Sequence, residues 1–140
     1  MKNLKALWFL LPVLLVACGS DDSLNLIEFE TLAIGEQSPV SPGRSQHVIN
    51  DESEYFDLFG TTTTADFDRE TIIAVFLGQV GNDNNTFEIT EIVDNTSNIT
   101  VKITWKSPRI LSGANTNHYH VVKTRKLSRS INFSTIEIRE

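Results

Sequence analysis

The sequence predicts an α+β domain: a mostly antiparallel, curled sheet of about seven strands with one short helix near the start of the domain, an all-β architecture being the alternative if that helix does not form. Three observations lead there. Apolar and polar residues alternate in short runs separated by turn-forming clusters, as from Phe87 to Val93 and from Ile99 to Trp105. A continuous apolar run, Ile72 to Leu77, is bounded by charge before it and Gly78 after it, the pattern of a strand covered on both faces at the centre of a sheet. One stretch, from Asn50 to Gly60, carries the signals of a helix start and stop.

The elements follow in order. Leu24 to Ile34 alternates imperfectly and reads as a first strand, and Gly35 to Arg44, with two prolines and two glycines, must be a loop because proline lacks a ladder donor and restricts its predecessor. Ser45 to Ile49 is a short second strand. Asn50 or Asp51 can then cap a helix whose acidic first turn suits the positive end of the helix dipole. Its apolar side is Tyr55, Phe56, Leu58 and Phe59, and Gly60 stops it.

Asp66-Phe67-Asp68 leads into the apolar strand. The cluster Val80 to Thr86 reads as the turn of a hairpin joining it to Phe87–Val93, and Asp94 to Asn98 turns the chain into Ile99–Trp105. Ser107 to Asn117, with Pro108 and Gly113, is a long loop. His118 to Arg125 is a strand with a basic tail. In the last strand, Ile131 to Ile138, the apolar residues change phase between Phe133 and Ile136, which predicts a bulge.

A length of 140 residues accommodates one domain with a core, here 24–140, and the charged fraction of 21% beside 40% hydrophobic residues is that of a globular chain rather than a disordered one. Charge is unevenly spread. Residues 18–98 hold sixteen acids against Arg44 and Arg69, and residues 99–140 hold eight bases against Glu137 and Glu140. The basic strands are expected to lie beside the acidic ones as a mixed solvated surface; a basic patch at Lys123, Arg125, Lys126 and Arg129 for an acidic partner is the alternative.

The first seventeen residues read as an address. Lys2 and Lys5 precede an apolar segment that is too short to span a bilayer, which takes about 20 residues as a helix, and that has the layout of a secretory signal. Leu15-Val16-Ala17-Cys18 resembles the bacterial lipobox, and Cys18 is the chain's single cysteine. The expectation is a signal peptide over 1–17, lipidation of Cys18, a polar tether over 18–23, and attachment to the membrane of the bacterial cell envelope through acyl chains. Gly19 after the cysteine, by resemblance to lipoproteins of two-membraned bacteria, favours the outer membrane, facing the periplasm or the surface. Nucleic acid is not an expected partner.

Catalytic motifs do not emerge. The chain has no G-x-S-x-G, H-E-x-x-H, P-loop or G-x-G-x-x-G motif, so no catalytic residue and no cofactor is assigned and the expectation is a protein that is not an enzyme. His118 and His120, two apart on a strand, share a face and are weak metal candidates, with His47 as a third ligand. A hydrogen-bonded structural role is the simpler reading for them. Asp66-x-Asp68-x-Glu70 imitates a calcium loop but has Thr71 where an EF-hand needs glycine, and a turn at the strand entry explains it better. Asn82, Asp83, Asn84 and Asn85 form a turn that is the candidate partner contact.

The segments VINDESEYFDLF (48–59), DFDRETIIAVFLG (66–78), FEITEI (87–92) and HYHVVK (118–123) together resemble the PrcB carboxy-terminal domain family, over about Val48 to Lys123. The family is named for a lipoprotein subunit of a surface serine-protease complex. The resemblance implies an accessory or binding protein that associates with a protease or another envelope protein, with no catalytic residue to carry over. His120 and Val122 match the family's His-x-Val pattern, which implies a structural histidine. The chain departs from it at Asn84-Asn85-Thr86-Phe87, where members have Thr-Gly-Gly-Tyr. Two other readings stand beside this one: a metal-dependent hydrolase using His118 and His120, and an envelope module binding polysaccharide or lipid, for which Trp105 and Tyr119 would have to be exposed.

Overall fold

The computed structural model describes residues 25–40, 42–81, 84–109 and 114–140. Cys18, the lipobox residues Leu15, Val16 and Ala17, the tether, and Asn82 and Asp83 lie outside the described residues. The strands are β1 (Phe29–Gly35), β2 (Ser45–Ile49), β3 (Glu70–Phe76), β4 (Thr86–Asp94), β5 (Ile99–Ser107), β6 (Tyr119–Arg125) and β7 (Ile131–Arg139), and the helix is α1 (Glu52–Phe59).

The α+β expectation with one curled sheet is overturned. The protein is mostly β, with 53% of the described residues in strands or bridges, and the strands form two sheets, ordered β1-β6-β3-β2 and β4-β5-β7. The helix does form, yet it is eight residues long with none of them fully buried, so it covers a sheet rather than forming half of a core. Asp51 caps it, its carboxylate accepting from Glu54 N at 2.8 Å, while Glu54 reaches back to Asn50 N at 2.8 Å. Gly60 closes it at φ 69°, its N–H donating to Phe56 O.

The hairpin between β3 and β4 also fails, for a reason of edges. β3 pairs antiparallel with β2 on one side and with β6 on the other, so neither edge is open to the strand that follows it. The chain instead crosses to the second sheet, where β4 makes its hairpin with β5 through Asn95–Asn98. β6 belongs to the first sheet, so the path from β5 returns through it before β7 arrives beside β5, and that pair is parallel. Alternation along a strand carries no information about its neighbour's direction.

β3 is buried on both faces, as its unbroken apolar run predicts. Thr71 through Leu77 are no more than 2% exposed. Ile73, Val75 and Leu77 face the second sheet and meet Phe87, Ile89, Ile92, Val101 and Ile103. Ile72, Ala74 and Phe76 face outward and are covered by Tyr55, Leu58 and Phe59 of α1 with Phe67 of the following loop. The result is three layers, helix and loop on sheet on sheet. Each fully buried Ile, Val or Phe side chain contributes on the order of 1.5–3 kcal/mol.

No bulge occurs in β7, whose register to β5 is continuous over the paired residues Ile131 to Arg139. The phase change arises because β7 is an edge strand: Ile131 and Phe133 turn toward the core, whereas Ile136 and Ile138 are exposed. Register breaks lie elsewhere, between Thr31 and Ala33 in β1 and between Ile89 and Glu91 in β4. The second lets Phe87, Ile89 and Ile92 all join the core between the sheets despite their uneven spacing.

The predicted first strand divides in two. Residues 25–27 pair with the outer edge of β4, with Ile27 N donating to Ile92 O at 2.8 Å and Asp94 N to Asn25 O at 2.7 Å, and then β1 pairs with β6. This short segment therefore links the two sheets along one side. His120 of β6 reinforces the link from within: its Nδ1 accepts from the backbone N–H of Ile89 on β4 at 2.9 Å, and its Nε2 lies 2.9 Å from Thr31 Oγ1 on β1. The Ile89 bond fixes the tautomer. With Nδ1 accepting, the ring proton sits on Nε2 and is donated to Thr31. Along the other side β2 and β7 end their sheets, and among the described residues no strand joins them.

A protonated His120 would point an N–H at the Ile89 N–H. Burial holds the imidazoles of His120, His47 and His118 below their ordinary value of 6.5, the Glu36 carboxylate partly opposing this at His118. The unfolded chain therefore binds more protons than the folded one below that value, so this stability is complete above about pH 6.5 and is lost as pH falls through the lowered folded values. Denaturant titrations should show a constant unfolding free energy from about pH 8 to 7 and a decline from there to about pH 5. His120→Asn, whose Oδ1 can still accept from Ile89, should flatten that decline, and His120→Ala should cost about 3 kcal/mol at neutral pH by stranding the Ile89 N–H and opening a void.

Candidate functional site

The described residues of three loops, 36–40 with 42–44, 77–81 with 84–85, and 108–109 with 114–118, come together at one end of the sheets, where β2 begins and β3, β4's first residues, β5 and β7 meet. Trp105 is the centre of this end. It faces Phe87 in the β4–β5 register and is half-buried. Its indole Nε1 donates to Asn85 Oδ1 at 3.0 Å, which fixes the ring in its plane. The Arg44 guanidinium lies over the ring, 5.1 Å from its centroid, and Arg44 Nε donates to Leu77 O at 3.1 Å.

The loops are held close by one glycine. Gly78 has φ 79°, and a Cβ there would stand 2.9 Å from the backbone N of Arg44. Only a residue without a side chain lets the 77–78 turn press on Arg44 in this way. Arg44 is anchored through Nε alone, so its terminal nitrogens have no acceptor among the described residues.

Beneath this stack is a cleft of about 310 Å³. Leu77, Phe87 and Trp105 give it an apolar floor, Phe76 bordering it while its own ring faces the helix side, with Ser45 and Gln46 of β2 on one wall and Thr135 of β7 on the other. It lies on the side of the molecule where the sheets are not joined. Beyond Trp105 and Asn85 a second, shallower hollow contains Arg109, Glu137 and Arg139, the last two paired at 2.9 Å. The arrangement can seat an apolar group and offer hydrogen bonds to an anion at its rim.

The residues singled out in the sequence fall mostly elsewhere. His118 and His120 are not a ligand pair, because His120 already uses its lone pair on the Ile89 N–H and its other nitrogen on Thr31. His118 is buried just before β6, its Nε2 without a hydrogen-bond partner among the described residues, beside a hollow it shares with Glu36. His47 lies on the helix side of its sheet, bonded to Ser45 Oγ at 2.9 Å and packed edge-on to Phe76, away from both. Among the described residues no three His, Cys, Asp or Glu side chains are grouped to hold a metal ion.

Asp66 and Glu70 form the turn at the entry to β3, Asp66 Oδ1 accepting from Asp68 N and Glu70 Oε2 from Asp66 N. That backbone bond, with Lys123 at 3.2 Å, holds the Glu70 carboxyl below its usual range. The basic run is engaged in structure: Arg125 and Arg129 both grip Asp94, and Lys126 Nζ donates to the carbonyls of Phe67 and Asn50. Tyr119 stacks on Phe76 at 6.4 Å on the helix side, so it and Trp105 do not share a platform.

Of the candidate contact turn, Asn84 is exposed, whereas Asn85 is buried and positions the indole. Arg44 is the residue at the cleft mouth that sequence reasoning passed over. Its signal was present, since it is one of two bases among residues 18–98 and sits at the end of a Pro/Gly loop.

Gly78→Ala should destabilise the fold by about 2 kcal/mol through its positive φ and the close Arg44 backbone. It should also displace Arg44 from the indole, read as a shift of the Trp105 Nε1–H resonance in a proton–nitrogen correlation spectrum. No family model, curated protein or solved structure matches this chain, so what the cleft accepts is argued from its own chemistry.

Proposed function

We propose that the protein is a lipid-anchored accessory module of the bacterial cell envelope that acts by binding a partner protein, a protease or another envelope protein, at the loop end around Trp105. One observation carries the reading: an indole locked by Asn85 and Arg44 stands at the mouth of an apolar cleft on the unjoined side of the two sheets. Tryptophan and arginine are the residues that most often dominate binding energy at protein interfaces, and a pre-set ring loses little entropy when a partner covers it. The lipobox-like LVAC with Cys18 and the PrcB-like segments support the same reading from the sequence.

The geometry favours this over the two alternatives. Metal-assisted hydrolysis needs free imidazole lone pairs, and His120 has none. A glycan platform needs neighbouring exposed aromatic faces, and Trp105 has a guanidinium over its ring while Tyr119 lies on the other side of the sheet.

The test is cross-linking in intact cells. A photoreactive amino acid at Gln46, an exposed position beside the cleft, should yield a reproducible adduct with one envelope protein, weakened at least about fivefold by Trp105→Ala and lost from the membrane fraction with Cys18→Ser. Absence of any reproducible adduct, or adducts indifferent to Trp105, would overturn the proposal.

A further inference from the structure

The four outer strands of the two sheets are not equally protected against pairing with another chain. β4 is covered along its outer edge by residues 25–27 and by the His120 bond to Ile89. β1 is broken by a register shift and carries Glu30, paired with Lys123. β7 carries Glu137 and Arg139. β2, with the sequence SQHVI, has no charged residue, no proline and no bulge. Proteins ordinarily guard an exposed edge with one of these devices because its unpaired N–H and C=O groups are a template for a further strand. Here the unguarded edge borders the apolar cleft.

We infer that β2 is a docking edge, and that its occupant is an extended segment of the partner protein that adds a strand to β2 beside Trp105, with apolar side chains in alternate positions and a carboxylate that pairs with Arg44. This rests on the proposed function and specifies the partner's chemistry. Side chains on one face of an added strand would lie over the cleft floor of Leu77, Phe87 and Trp105, and those on the other would leave it, so the cleft reads every second residue. Main-chain bonds to β2 supply affinity, and the cleft supplies selectivity.

The acidic element follows from Arg44. It stands one residue before β2, its Nε is taken by Leu77 O, and its terminal nitrogens, without an acceptor among the described residues, present the paired N–H donors that a carboxylate fits. Of the bases of the carboxy-terminal part, Lys123, Arg125, Lys126 and Arg129 are held by Glu70, Asp94 and backbone carbonyls at the other end of the strands, and Arg139, in the hollow beyond Trp105 with Arg109, is paired with Glu137.

Selection from a displayed library of random decapeptides on the purified full-length protein, as its host processes it, tests this. The expected outcome is enrichment of sequences alternating apolar residues and carrying Asp or Glu, with a preference of about fivefold or more over their Lys counterparts. Arg44→Glu should invert that preference toward Lys and Arg. Gln46→Pro, which blocks the edge, should reduce binding of the enriched peptides at least about tenfold, and if it fails to fold the Arg44→Glu result still decides. Enrichment that Trp105→Ala abolishes but that neither Arg44→Glu nor Gln46→Pro alters would overturn strand addition while leaving the accessory function standing. No enrichment, or a concentration-dependent dimer in sedimentation that Gln46→Pro dissolves, would overturn the inference in favour of no extended ligand or of a second copy of this chain.

Discussion

The architecture depends on the complete enclosure of β3. Its two edges are occupied by β2 and β6 and its two faces by the second sheet and by α1 with its loop. A strand so enclosed cannot form a hairpin with its successor, which forces the crossing to β4 and creates a second sheet. That sheet must then be attached along its own boundary. The attachment is one-sided, made by residues 25–27 and by the His120 bond to Ile89, and the unjoined side becomes the cleft. The opening beside Trp105 is thus a consequence of where β3 sits rather than a separate feature of the loops.

His120 shows how a histidine can be indispensable without chemistry. One nitrogen satisfies a backbone donor on the edge of the opposite sheet, and the other donates to Thr31 on the neighbouring strand, so a single neutral ring joins β6 to both β4 and β1. Neutrality is part of the bond, because only the uncharged ring has a lone pair to offer. A lysine or arginine could not replace it, having donors alone, and an aliphatic residue would leave a buried N–H unpaired.

What was legible in the sequence was local. A cap at Asn50 or Asp51, of which Asp51 takes the role, the stop at Gly60, the span of β2 and the double burial of β3 each follow from adjacent residues and the geometry of one element. What was not legible depends on residues far apart in the chain. The pairing of β5 with β7 joins strands separated by all of β6, and the role of Asn85 exists only because β5 brings Trp105 beside it. Asn82 to Asn85 has the composition of an exposed turn whichever of its members points inward. Period-two alternation likewise assigns Ile92 to the wrong face, since the shift between Ile89 and Glu91 adds a residue that no local pattern announces.

The uneven charge of the chain takes its meaning from these long-range contacts. The basic residues of the carboxy-terminal part return to the acids of the first part: Lys123 to Glu30 and Glu70, Arg125 and Arg129 to Asp94, Lys102 to Glu91. Most of these pairs are at least partly exposed and add little stability individually; their effect is on which surface carries unspent charge. Among the described residues the acids of α1 have no ion-pair partner, and at the loop end Arg44 is bound through one nitrogen only. A guanidinium stacked on an indole at a cleft mouth, its terminal nitrogens without an acceptor among the described residues, is placed to attract a carboxylate. Arg44→Lys would keep that charge but lose the planar stack and the paired donors, so if the site distinguishes carboxylate geometry from charge alone, lysine should not substitute.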